Sequence, residues 1–248
     1  MTDDVPRVAI LFKDGRIARL RSDELFPREA FYGATELAGC GLPVDIIEEM
    51  DLAGGIGSAW LERAASAMIH GLFGLNANST ARFMSGPTLE RLNRYEVVVA
   101  TTNAQGLGLA AARALGRLQP RILLLSTGVL PVDAPARHIA VFRRLVKDLS
   151  LAPMSRGEEQ GLRSQLGPLQ DLDYIPFGVD ETFWTPAAAV AGGEDYVLSI
   201  GNDPQRDYGT LAAAWQPDFP WLKIVTRQGV SASDGDIEII SGMALTIP

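Results

Sequence analysis

The chain has 248 residues, enough for one large domain or two modest ones. Its 30 acidic and 22 basic side chains give a formal net charge of −8, which argues against a broad nucleic-acid-binding surface. One cysteine, Cys40, excludes an internal disulfide, and only two histidines, His70 and His138, argue against a metal centre. The polar N-terminus and the lack of about 18 consecutive apolar residues predict a soluble, cytoplasmic protein.

The first 180 residues alternate short apolar runs with amphipathic segments, the pattern of a doubly wound α/β domain. A buried strand is predicted over Val8–Phe12, and a helix that starts near Pro27 leads to the next strand. Later in the chain, Ser155 and Glu158 have the spacing of a capping box that opens a helix. Further strands are predicted over residues 44–47, 96–100, 122–125, 149–152 and 173–176, with an Ala-rich helix over 107–118.

Polar side chains follow two of the predicted strands directly. Lys13 follows the first strand, and Asn103 and Gln105 follow the strand at residues 96–100. Open α/β sheets bind ligands at the carboxyl ends of their strands. The sequence therefore predicts that Lys13, Asn103 and Gln105 face a substrate.

Residues 52–93 show the least regular pattern. Trp60, Met68 and Phe73 recur there at helical spacing. The more common arrangement of such a helix packs its apolar face on the protein core, and the alternative is contact with a lipid or a hydrophobic acceptor.

The chain changes character after Asp180. Residues 181–193 form a Pro-, Ala- and Gly-rich crossing, and a new strand–helix–strand pattern follows at residues 196–200, 208–215 and 223–226. Residues 245–248 also resemble a strand. Because a complete doubly wound domain needs about 100 residues or more, residues 181–248 are expected to form a partial second domain of a truncated chain.

Two short stretches carry a family resemblance. Residues 173–180 have the sequence DYIPFGVD, and residues 196–211 have the sequence YVLSIGNDPQRDYGTL. Together they resemble the inter-domain segment and the first strand–loop–helix unit of the second domain in retaining nucleotide-sugar glycosyltransferases of the GT-B fold. The resemblance implies an acceptor-side Rossmann-like domain over residues 1–180 and a partial nucleotide-sugar-binding domain over residues 181–248.

The same resemblance implies a reaction. A nucleotide-diphosphate sugar would be the donor and a glycan or lipid-linked molecule the acceptor, with retained anomeric configuration, no separate cofactor and no essential metal. Gly201, Asn202 and Arg206 are then the expected diphosphate-binding residues. Glycine lets a ligand approach the backbone, a helix start favours anions, and a guanidinium binds phosphate oxygens as a fork. Asp207 is expected to cap the helix, and the alternative role is to orient Arg206.

The chain also departs from the family pattern. Asn202 stands where family members carry a basic residue, and no glutamate pair follows it, since Glu238 is the last glutamate of the chain. His138 lies on a predicted helix, where an ordinary surface or core position is the better interpretation. The catalytic residues therefore stay unassigned.

Two other classes of function stay open. Gly106-x-Gly108-x-x-Ala111 follows a strand and resembles a dinucleotide fingerprint, which would indicate an NAD(P)-dependent oxidoreductase. The simpler interpretation is that these glycines allow a turn and close helix packing. The remaining alternative is a non-catalytic nucleotide-binding or assembly protein. The sequence does not indicate the oligomeric state.

Overall fold

The computed structural model describes residues 6–22, 25–52, 60–75, 77–168, 171–185, 195–202, 206–231 and 235–241. The chain divides into two compact units, Met1–Thr185 and Pro186–Pro248.

The first unit is built on a five-stranded, wholly parallel sheet in the order β2-β1-β3-β4-β5. Its strands are β1 (Val8–Phe12), β2 (Val44–Glu48), β3 (Val97–Ala100), β4 (Arg121–Ser126) and β5 (Ser150–Pro153). Its helices are α1 (Arg16–Leu20), α2 (Ala34–Gly39), α3 (Trp60–Phe73), α4 (Ala77–Arg82), α5 (Gly86–Leu92), α6 (Asn103–Ala114), α7 (Ala136–Val146) and α8 (Arg156–Leu166), with 3-10 helices at Arg28–Phe31 and Glu49–Asp51.

Strands β1 and β3 of this sheet are apolar on both faces. Ala9 and Leu11 of β1 belong to the larger core cluster, which also contains residues of α3 and of α5 to α8. Ile10 and Phe12 point the other way, into a smaller cluster with Phe31 of the first 3-10 helix. This burial explains why the strands are continuous apolar runs in the sequence.

The second unit is a smaller parallel sheet in the order β6-β7-β8. The strands are β6 (Tyr196–Ile200), β7 (Trp221–Val225) and β8 (Ile237–Ile240), and helix α9 (Tyr208–Ala213) connects the first two. Tyr208, Leu222 and Ile224 form its buried core. The predicted α/β class is thus confirmed in both units.

The structure differs from the sequence predictions in three respects. Residues 173–176 do not form a strand: Asp173 and Ile175 donate backbone hydrogen bonds to Leu151 and Pro153 of β5, but Pro153 has no N–H to donate back, so the ladder does not continue. Helix α6 begins at Asn103 rather than near residue 107, because Thr102 and Gln105 form a capping box. Helices α1, α4 and α5 and strand β8 were not predicted, and the strand predicted at 245–248 lies outside the described residues.

Helix α3 has one buried and one exposed side. Ser66 and Ile69 are buried, whereas Trp60 is 69% exposed and Met68 is 40% exposed. Trp60 and Met68 of the apolar stripe therefore lie on the outward side of the helix, whereas Phe73 packs against Phe142 and the core. Among the described helices, none has both the length and the apolar character needed to cross a membrane.

Candidate functional site

A cleft of about 760 Å³ lies at the carboxyl edge of the first sheet. It is formed by the segments that follow β1, β3 and β4, together with the ends of α3 and α4. Two of the three substrate-facing residues predicted for this edge, Lys13 and Asn103, line it. The other lining residues are Phe12, Arg16, Tyr32, Glu49, Gly74, Leu75, Arg82, Thr101, Thr102, Ala104 and Thr127.

Asn103 joins two loops of this edge. Its Nδ2 donates to the carbonyl of Thr127 at 2.9 Å, and the Thr127 amide lies 3.5 Å from Asn103 Oδ1. This pair connects the segments after β3 and β4, so the side chain both lines the cleft and fixes its wall.

Gln105 lies beneath the cleft with a fully buried side chain. Its Oε1 accepts hydrogen bonds from the Thr101 and Thr102 amides at 3.0 and 3.1 Å, and its Nε2 donates to Glu49 Oε1 at 3.3 Å. Buried backbone donors need such partners. The structure therefore gives Gln105 a bracing position below the site instead of the substrate-facing position that was predicted.

Sequence reasoning missed Arg16, Glu49 and Arg82. Arg82 donates through Nη1 to the backbone carbonyl of Glu49, which brings the end of α4 against the segment after β2. Arg16 follows Gly15, whose φ of 95° turns the chain into α1. Arg16 comes soon after β1 and Lys13 in the chain, so it could have been noticed in the sequence. Arg82, in contrast, reaches the cleft through tertiary packing.

The DYIPFGVD segment belongs to the first unit. Residues 175–180 line an apolar pocket of about 610 Å³ on the sheet face that carries α2. At its end, Asp180 is held by Arg28, with Nε at 3.1 Å and Nη2 at 3.3 Å, and by Thr182 Oγ1 at 2.6 Å. The hydrogen bonds of Arg28 and then of Thr182 hold the pKa of Asp180 well below its usual range. This part of the motif therefore anchors the start of the crossing segment.

In the second unit, Gly201 lies between the end of β6 and the start of α9, at the carboxyl edge of the sheet. Its amide donates to Val225 O at 3.1 Å, and its carbonyl accepts from Tyr208 Oη at 2.8 Å. The exposed Arg206 side chain lies directly over Gly201. A methyl group added at Gly201 would lie 2.7 Å from Arg206 Cζ. Glycine is what allows this close approach.

Asn202 and Asp207 complete this turn. Asn202 Oδ1 accepts the backbone N–H of Arg227 at 2.6 Å, which ties the segments after β6 and β7 together. Asp207 accepts from the Thr210 amide at 2.9 Å and from its hydroxyl at 2.7 Å, as expected for a helix cap. These bonds lower the pKa of Asp207. Thus the structure brings Gly201, Asn202 and Arg206 together at one edge, next to the backbone amide of Arg227.

The glycines of the dinucleotide-like pattern lie within α6 and are buried. A methyl group on Gly106 would lie 2.7 Å from Leu124 Cδ2, and one on Gly108 would lie 2.8 Å from the Thr80 carbonyl. They let α6 pack closely on β4 and α4. A dinucleotide fingerprint places its glycines in the turn before the helix, so this geometry favours the packing interpretation.

Comparison with known proteins identifies the fold. HepE of Anabaena, solved in complex with UDP and glucose, aligns with a TM-score of 0.52 and 12% identity over 96% of this chain and 70% of its own. The glycosyltransferase SnogD of Streptomyces nogalater aligns with a TM-score of 0.43 and 14% identity over 96% of this chain and 73% of its own. No family model and no curated protein matches the sequence. The likeness to HepE confirms the Rossmann-like α/β fold that the sequence resemblance predicted.

Proposed function

We propose that this chain is a glycosyltransferase that moves a sugar from a nucleotide-diphosphate donor to a glycan or lipid-linked acceptor. The observation that carries the proposal is the position of Arg206 across Gly201, at the carboxyl edge of the second sheet. HepE, which shares the fold, was solved with UDP and glucose, the two parts of a nucleotide sugar.

The chemistry of sugar transfer explains why such a turn would be useful. As the bond between the sugar and the phosphate breaks, negative charge builds up on the departing nucleoside diphosphate. A guanidinium next to a backbone turn stabilises that charge. Arg206 would supply the positive charge, and Gly201 would let a phosphate approach the backbone closely.

Asn202 is proposed to support this site from one side. Its oxygen is engaged by the Arg227 amide at 2.6 Å, so the exposed Arg227 is held beside the same turn. Arg227 would then contribute the second positive charge that the family places directly after the glycine. We propose Lys13 and Asn103 for the acceptor, because both line the cleft of the first unit.

Thermal unfolding with a panel of UDP, GDP and ADP tests the donor site. We expect at least one diphosphate to raise the melting temperature by about 5–10 °C at 100 times its Kd. Arg206→Ala should remove this increase. Arg94→Ala is the matched control, because Arg94 is an exposed arginine of the first unit that pairs with the exposed Glu90, and it should leave the increase intact.

A well-folded protein that responds to none of the diphosphates would contradict the proposal, as would an unchanged response in Arg206→Ala. Stabilisation by NAD(H) or NADP(H) alone would favour the oxidoreductase. Release of UDP or GDP from a nucleotide sugar demonstrates catalysis, whereas binding without release would indicate a non-catalytic nucleotide-binding protein.

A further inference from the structure

The cleft at the carboxyl edge of the first sheet is rich in positive charge, although the chain as a whole has a net charge of −8. Among the residues that the structure describes, its lining includes three cationic side chains, those of Lys13, Arg16 and Arg82, and one carboxylate, that of Glu49. The Glu49 carboxylate is itself engaged by Gln105 Nε2 at 3.3 Å. A local excess of cations in an acidic protein marks a place where anions concentrate.

Two nearby carboxylates accept hydrogen bonds from backbone N–H groups. Asp14 accepts the Met50 amide at 2.9 Å, and Glu48 accepts the Ile17 amide at 2.7 Å. These groups therefore brace the loops at this edge. The Lys13 side chain, in contrast, is exposed at the cleft.

Arg16 is partly buried in the wall of the cleft. Desolvation by burial, followed by the charge of Arg19, lowers its pKa, and the attraction of Tyr32 and Glu48 does not compensate. An arginine stays protonated at any physiological pH. The folded protein thus keeps a partly buried, charged guanidinium in the wall of the cleft, where a bound anion would pair with it.

We propose that this cleft binds a phosphate group of the acceptor. A phosphate carries up to two negative charges, which matches three cations and one carboxylate, and its oxygens suit the planar fork of Arg16. Arg82 uses Nη1 for the Glu49 carbonyl, and the guanidinium has further N–H donors to offer. The assignment of the phosphate to the acceptor rests on the proposed function. The binding of phosphate by the cleft is independent of the proposed function.

Calorimetric titration with sn-glycerol 3-phosphate tests the cleft, with glycerol as the uncharged probe. We expect the phosphate ester to bind and glycerol not to bind. Lys13→Gln and Arg16→Gln should each weaken the phosphate ester by about tenfold or more. Lys13 is exposed, so its substitution should not change the melting temperature. Arg206→Ala and Arg94→Ala should bind the ester as the wild type does.

The two proposals fail in different ways. If Lys13→Gln and Arg16→Gln both retain full affinity, or if only Arg206→Ala loses it, the cleft is not the phosphate site, whatever the response to UDP. If the cleft variants lose affinity while no nucleoside diphosphate binds, the phosphate site holds and the glycosyltransferase proposal falls.

Vesicles identify where the phosphate comes from. The protein should sediment with phosphatidylcholine vesicles that contain phosphatidic acid, but not with phosphatidylcholine alone, if the phosphate is carried by a lipid. Lys13→Gln should then no longer sediment with either kind of vesicle. Retained binding of glycerol 3-phosphate without sedimentation would support a soluble phosphate ester. Sedimentation that is unchanged in Lys13→Gln, together with unchanged ester binding, would overturn the proposal.

Discussion

The two parallel sheets use the same kind of turn, from the end of a strand into a helix, in opposite ways. Between β3 and α6 the turn is closed from below by the buried amide of Gln105, which satisfies two backbone N–H groups. Between β6 and α9 the turn has a glycine, Gly201, and the exposed side chain of Arg206 lies across it. One turn braces the scaffold, and the other presents a charge.

This difference shows where each unit finds its ligand-binding groups. In the first unit the cations come from elements around the turn, namely Lys13, Arg16 and Arg82, because the turn itself is engaged in holding the backbone. In the second unit the cation belongs to the turn. The following substitutions separate bracing from binding, beginning with the largest expected effect.

Gln105→Ala should be the most disruptive of these changes. It leaves the amides of Thr101 and Thr102 without their acceptor in a buried position, and we expect the free energy of unfolding to fall by about 2–4 kcal/mol. Urea denaturation measures this loss. Asn103→Ala, which removes a hydrogen bond to the exposed Thr127, should lower the free energy of unfolding by about 1 kcal/mol or less. Equal losses for the two variants would contradict the bracing role.

Asp180→Asn tests the second brace of the first unit. Because the pKa of Asp180 is lowered in the folded state, its stabilising effect is complete above the unfolded pKa of about 3.8 and is lost as the pH falls through the folded value. The variant should melt roughly 4–8 °C lower at pH 7, and the difference should shrink progressively as the pH falls below about 4. Asp148 forms an exposed pair with Lys147 and serves as the control. The difference in melting temperature between Asp148→Asn and the wild type should not change with pH in this way.

The sequence was sufficient where the determinants are local. The turn at Gly201 could be predicted because strand, glycine, cation and cap follow one another within a few residues. The capping residues of α6 are also close together, but the Ala-rich stretch after them is the stronger helix signal, so the sequence predicts the start of this helix too late. Arg28 and Asp180, in contrast, are 152 residues apart, and Arg82 reaches Glu49 across 33 residues. Such pairs have no local signature, so only the folded chain reveals them.

Gly201→Ala tests the binding side of the comparison. The added methyl would lie 2.7 Å from Arg206 Cζ and must displace the guanidinium, so affinity for UDP should fall by about tenfold or more. The melting temperature without ligand should change by no more than about 2 °C, since Arg206 is exposed. Gly209→Ala is the matched control, because a methyl there meets Asp207 at an ordinary 3.5 Å. If both variants bind UDP equally well, the position of Arg206 does not matter.

Asn202→Ala should have the smallest effect. It removes the 2.6 Å hydrogen bond from the Arg227 amide, and we expect UDP affinity to fall by about threefold as the loop after β7 loosens.

Asn202→Asp keeps an oxygen acceptor for that amide but adds a negative charge beside the proposed diphosphate. If Asn202 only braced the loop, the aspartate variant would bind UDP as the wild type does. Because repulsion between carboxylate and phosphate acts at short range, we expect it to bind more weakly than Asn202→Ala, and raising the salt concentration should narrow that gap. If Asn202→Asp binds UDP as tightly as the wild type does, the diphosphate does not bind at this turn. If Asn202→Asp binds UDP more weakly than Asn202→Ala, the diphosphate binds beside residue 202.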